Sequence, residues 1–256
     1  VQKVSFSFLF VVGISFGGLV FYNVNFVSDY ETADDSLEFR EQYEKKYKQY
    51  EDLVRPYSIS RKTEVAIFPE EQRYTIKADY VLKNGGEQPI SKVFVTNLVT
   101  HDSLFGIYIF QFEKPLQPNH TVGYNFKLKH HRKGYAEDKT IVNNGTYITH
   151  TNFEPILGYS SGLEITDKVE REKRNLPKRE VEIISDAHIA LEDFNNEKTD
   201  FETIVSTSSK QTALSSGNLV KKWAENNRNY YHYKTKNKVV PMIAYFSADY
   251  KTKKVD

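Results

Sequence analysis

From Val4 to Ser28 the chain reads VSFSFLFVVGISFGGLVFYNVNFVS without one charge, and the remainder of the chain is polar and rich in Tyr, Lys and Glu. About 20 apolar residues cross a bilayer as a helix, which satisfies its own backbone groups there. The pattern predicts one transmembrane helix within residues 1–30. Lys3 precedes it, and Asp29, Glu31, Asp34 and Asp35 come after it, which under the positive-inside rule puts the N-terminus in the cytoplasm. A secretory signal has a shorter apolar run and a small-residue cleavage site, whereas this run ends in Tyr22, Asn23 and Asn25. A buried core helix is the plainer alternative. Gly13, Ser15, Gly17 and Gly18 would let another helix pack closely. The start at Val1 reads as a piece of something longer.

Residues 35–53 have helical periodicity. Asp35 or Ser36 can cap this helix, Glu38, Glu41 and Glu44 suit its N-terminal half, and Pro56 ends it. Tyr43, Tyr47, Tyr50 and Val54 make one aromatic stripe, expected as a packing face or a spacer off the membrane.

From Tyr57 onward the period becomes two. Strands are predicted at 64–68, 73–82, 93–98, 106–112, 122–130, 146–149, 203–207, 220–223, 229–234 and 239–246, separated by Gly, Pro and Asn. Such regular spacing predicts an all-β, antiparallel β-sandwich, with Val81, Leu82, Phe94 and Phe126 in its core. The stretch 167–180, DKVEREKRNLPKRE, reads as a solvated loop or short helix. No fixed-period repeat is present.

Composition narrows the functions. Thirty-five basic residues against 34 acidic ones leave no electrostatic case for nucleic acid. The absence of Cys removes disulfides, thiol nucleophiles and Cys-based zinc sites. No histidine-pair zinc helix, phosphate loop, dinucleotide fingerprint or nucleophile elbow occurs. His130 and His131 are adjacent in a strand, so their rings diverge rather than chelate one metal. Asn119-His120-Thr121 and Asn144-Gly145-Thr146 fit a glycosylation pattern and read better as turns.

One long segment is more specific. STSSKQTALSSGNLVKKWAENNRNYYHYK (206–234), followed by PMIAYFSADY (241–250), resembles bacterial proteins in which an ABC transporter permease is fused to a zinc aminopeptidase of the aminopeptidase-N type. The similarity rests on Ser206, Thr207, Gln211, Ala213, Gly217, Leu219, Trp223, Arg228 and Tyr230. It rests also on Phe153, Pro155, Gly158 and Tyr159 upstream. Ser216 departs from it, standing where a Pro is expected.

The resemblance implies a last permease helix in 1–30, a juxtamembrane helix or linker in 31–56, and a saddle-like sandwich domain in 57–256. It places the chain in a bacterial inner membrane, with the β-domain extracytoplasmic. It implies a non-catalytic domain that covers the cleft of a metallopeptidase neighbour, whose zinc-binding helix would lie beyond Asp256. The chain's partners are then the bilayer, the permease helices, that zinc-bearing domain and a peptide substrate. Within Thr149–Glu154, the resemblance makes Glu154 a ligand for the substrate's free α-amino group, with Asn152 in reserve; a plain solvent-facing Glu154 is the other reading. The alternative function is an extracytoplasmic binding or assembly module of a transporter complex, without peptidase activity.

Overall fold

A computed structural model of the chain describes residues 2–28, 32–96, 107–134, 140–179 and 197–251. Helix α1 (Gln2–Tyr22) runs into a wider π-turn at Asn23–Val27. The stretch Phe8–Val27 is long and apolar enough to cross a membrane, and none of it is buried against the body.

Helix α2 (Ala33–Tyr47) begins earlier than its sequence suggests. Its cap is Thr32, not Asp35 or Ser36: the Thr32 hydroxyl accepts from the Asp35 amide while the Asp35 carboxylate accepts from the Thr32 amide. That reciprocal pair satisfies two orphan donors at once. The helix then tightens into a 3-10 turn at Lys48–Tyr50 and stops short of Pro56. Its tyrosine stripe packs inward, with Tyr43 and Tyr47 buried against Phe94.

Thirteen strands come next among the described residues. The largest sheet uses β1 (Tyr57–Phe68), β2 (Arg73–Lys83), β5 (Thr121–His131), β9 (Asp200–Ser208), β11 (Asn218–Glu225) and β12 (Arg228–Lys234), in the order β11-β12-β9-β1-β2-β5. It is antiparallel except for β1 against β9, which run parallel from Ser60↔Asp200 to Ala66↔Ser206. A four-stranded sheet, β10-β13-β7-β6, is made from β6 (Ile141–Val142), β7 (Gly145–Thr149), β10 (Thr212–Ser215) and β13 (Ala244–Ala248). A three-stranded sheet, β4-β3-β8, holds β3 (Ile90–Thr96), β4 (Ile107–Leu116) and β8 (Ile156–Leu157). Asn97, Leu98 and Gly106, expected in strands, lie outside the described residues.

The two smaller sheets share the inner face of the large one. Val65, Ile67, Tyr74, Ile76 and Phe201 meet Ile148, Ala213 and Tyr245 of the four-stranded sheet. Further along the same face, Ala78, Tyr80 and Leu82 meet Leu157, which also packs with Val93 and Val95 of the three-stranded sheet. The result is the predicted all-β sandwich, with one seam between its two covering sheets.

Several expectations need correction. Leu82 and Phe94 are core, but Val81 is 37% exposed, because in β2 the even residues face inward. The strand expected over 239–246 starts only at Ala244; Val239 contributes a single bridge to Thr199. Residues 168–173 form a short helix, α3, and its Arg171 is buried rather than solvated. At the β10–β11 turn Gly217 adopts φ +99, and a Cβ there would lie 2.8 Å from the Lys234 carbonyl carbon, so the turn requires glycine whether or not proline precedes it.

Candidate functional site

The seam contains a cleft of about 370 Å³, the lower end of the range for small-ligand sites. Its geometry follows from strand parity. Val65 and Ile67 point into the core from β1, so Thr63 and Arg61 must point the same way. Thr63 is matched by its surroundings: its hydroxyl lies 2.7 Å from both the Thr203 hydroxyl and the Tyr245 phenol. Arg61 is the next inward position and needs an anion.

Glu154 supplies it. The chain leaves the four-stranded sheet at Thr149, turns through a 3-10 segment (His150–Asn152), and joins the three-stranded sheet at Ile156. Phe153 anchors the crossing in the main core, stacked at a tilt on Tyr245 with ring centroids 5.6 Å apart. The next residue, Glu154, therefore meets the seam. Arg61 Nη1 donates to its two carboxylate oxygens at 2.5 and 2.6 Å, and Tyr80 donates its phenol proton to Oε1 at 2.7 Å. Tyr80 stands opposite Arg61 in the β1–β2 register, and the guanidinium lies over its ring at 5.0 Å. Burial, and then the Glu154 charge, push the Tyr80 phenol well above its usual range, so it remains a donor.

Glu154 is therefore a cleft residue and not a solvent-facing one; its side chain is 14% exposed. These three hydrogen bonds leave room for about one more, since an ionised carboxylate offers about four lone-pair sites. Arg61 Nε donates to Ser58 Oγ at 2.6 Å. A second charged pair, Arg55 and Glu197 at 3.4 Å, also lines the cleft. His150, Tyr57, Tyr124, Leu157 and Met242 line the remaining wall. The cleft is thus charge-balanced, with apolar surface between its two ion pairs.

Asn152 has a different task. Its Oδ1 accepts from the Thr149 amide and hydroxyl, both at 2.8 Å, closing the 3-10 turn just before Glu154. It is not among the residues lining the cleft. Arg61, Tyr80, Arg55 and Glu197 do not stand out in the sequence. For Arg61 a signal exists: a cation on the inward parity of an otherwise apolar strand requires a buried carboxylate. Away from the cleft, His130 stacks on Tyr74 at 4.7 Å while His131 faces the other way, exposed. Among the described residues no three His, Asp or Glu side chains converge as a metal site would require.

No known family profile matches the chain, and no curated protein matches its sequence. Solved structures do resemble it. An M1 zinc metallopeptidase from Deinococcus radiodurans matches with a TM-score of 0.43 and 12% identity over 76% of this chain. A variant of that enzyme bound to a Tyr-Ser-Ala substrate gives 0.41 at 12% identity over 76%. A two-domain M1 zinc metallopeptidase variant bound to L-arginine gives 0.39 at 14% identity over 76%. The chain spans 42% of the length of each of these structures. At these scores the likeness assigns no activity to this chain.

Proposed function

We propose that this chain is the membrane-anchored, non-catalytic β-domain of an aminopeptidase-N-type assembly, and that its cleft receives the amino end of a peptide. The observation behind this reading is Glu154, held in a seam by Arg61 and Tyr80 with one acceptor position left. An ammonium group there would gain a charge-assisted bond of fixed direction. Fixing the amino end fixes the first peptide carbonyl relative to a catalytic neighbour, which is what positioning contributes. The sequence resemblance points the same way, and α1 would be its anchor, the last span of a permease. Among the described residues no donor set fits a zinc ion, and in this reading the neighbouring domain supplies the zinc chemistry.

One feature favours the second reading, a binding or assembly module without peptidase activity. Arg61 already neutralises much of Glu154, which lowers its pull on an ammonium and suits a charge-balanced ligand instead. The two readings separate in the full-length protein. Glu154→Gln is expected to slow cleavage of peptides with free amino termini roughly 10–100-fold, from the loss of one charged bond. Cleavage of N-acetylated peptides should not change. Equal activity of both proteins on free amino termini would sink the assignment, and no peptidase activity in the parent would support the module reading.

A further inference from the structure

Where the membrane helix ends, the body presents a basic corner. Tyr22 and Phe26 stack at 5.6 Å at the end of the apolar run, as aromatic residues do at a bilayer interface. The turn after β5 lies against that same end. A Cβ on Gly134 would sit 2.5 Å from Ser28 Oγ and 2.6 Å from Asn23 Oδ1, so this turn is held at the level where the span exits.

The chain leading into that turn is cationic. On the outward row of β5, Lys127, Lys129 and His131 are exposed, followed by Arg132 and Lys133. Across the ladder stand Lys77 opposite Lys127, Thr75 opposite Lys129 and Arg73 opposite His131. Directly opposed like charges, as at Lys77 and Lys127, destabilise a sheet. Among the described residues, Glu64 pairs with Lys77 at 3.2 Å and Glu71 with Arg73 at 2.9 Å. Arg132 is half-buried, and its Nε makes no hydrogen bond among the described residues. Among the described residues, the outward row of β5 thus carries a run of cations, and the turn that follows it touches the end of the apolar helix.

We infer that this corner, centred on Lys129 and Arg132, docks on the headgroups of anionic phospholipids in the leaflet from which α1 emerges. The inference rests on reading Phe8–Val27 as a membrane span. Basic residues near an anionic surface each strengthen binding about fivefold, and the attraction fades within a Debye length. Guanidinium and ammonium groups beside a phosphate also form charge-assisted hydrogen bonds. Docking would fix the tilt of the large sheet on the membrane, and with it the direction in which the cleft opens.

The native chain has no cysteine, so a single probe can be placed cleanly. Thr75→Cys, on the outward row opposite Lys129, carries a fluorophore in the full chain. The labelled chain is reconstituted into vesicles of phosphatidylcholine alone or doped with phosphatidylglycerol, each containing a headgroup-located quencher. Stronger quenching on anionic vesicles is expected, abolished by high salt and by Lys129→Glu with Arg132→Glu. Equal quenching on both compositions, with the chain still floating with its vesicles, overturns the docking inference and leaves the span intact. Failure to float with either composition overturns both. A corner that ignores anionic vesicles but retains a polyglutamate probe serves an acidic protein, and the lipid inference falls.

Discussion

Among the described residues, buried Arg171 and partly buried Arg61 meet carboxylates on opposite terms. Arg171 uses its whole fork. It donates to Glu44 at 2.6 and 2.8 Å, to the Ile165 carbonyl at 2.7 Å and twice to the Pro177 carbonyl at 2.6 and 2.9 Å. Its side chain is 5% exposed and that of Glu44 is 2% exposed. Arg61 turns one nitrogen to Glu154 and another to Ser58, beside an open cleft. The first pair locks α2 onto the body and has nothing left to offer. The second is built like it but is incomplete, and an incomplete pair facing a cleft is what a ligand site requires.

The sharpest way to break this contrast is at Arg171. Arg171→Met leaves the Glu44 carboxylate buried without its partner and should cost about 3–5 kcal/mol in urea unfolding. Adding Glu44→Leu should recover most of that loss, since an apolar pair of similar volume replaces two desolvated charges. If the single variant costs less than about 1 kcal/mol, α2 is not locked by this pair.

A smaller effect is expected at Arg61. Arg61→Leu should cost about 1–3 kcal/mol, because water in the cleft can solvate the Glu154 carboxylate left behind. A loss as large as that at Arg171 would mean that the cleft pair is structural too, and the contrast would fail.

The smallest effect is a pH dependence around Glu164, the second buried carboxylate beneath α2. Burial raises its carboxyl pKa, but hydrogen bonds from Lys48 and Tyr159 and the charges of Lys48 and Arg179 outweigh that and hold it below the usual range. A folded value below the unfolded one stabilises the protein above the unfolded pKa of about 4.3. That stabilisation is lost as pH falls from there through the folded value. Wild type should therefore exceed Glu164→Gln in urea midpoint at neutral pH, and the gap should close in acid. The gap should be modest, because Lys48 is 42% exposed and solvent screens it. A gap that widens in acid would reverse the assigned sign.

What the sequence reveals divides along the same line. The strands are legible because burial in them alternates one residue at a time, as in Tyr74, Ile76, Ala78, Tyr80 and Leu82 of β2. Glu154 can be found by resemblance, since its neighbours Phe153 and Pro155 mark the crossing between sheets. Its partners cannot, because Arg61 and Tyr80 lie 93 and 74 residues away and nothing local links them. Arg171 is hidden for a related reason. In a run of charges such as EREKR, one inward residue looks like the rest, and only the buried Glu44 on α2 distinguishes it. Parity in a strand is readable from neighbours; a partner across the fold is not.

The one parallel pairing among the described residues has a consequence for how the protein is made. β1 and β9 join two otherwise antiparallel ladders, and the contact between Thr63 and Thr203 closes 140 residues of chain. At ribosomal speed that separation amounts to on the order of 10 s. During that interval β1, then β2 and later β5 leave the ribosome while β9, the strand that pairs with β1, does not yet exist. The β1 edge is then a row of unpaired backbone groups, open to a neighbouring chain. On the reading that α1 spans the bilayer, every nascent copy would present that edge at the same height above the membrane. Crowded synthesis should therefore favour strand exchange between neighbours, so the yield of folded protein should depend on how densely it is expressed.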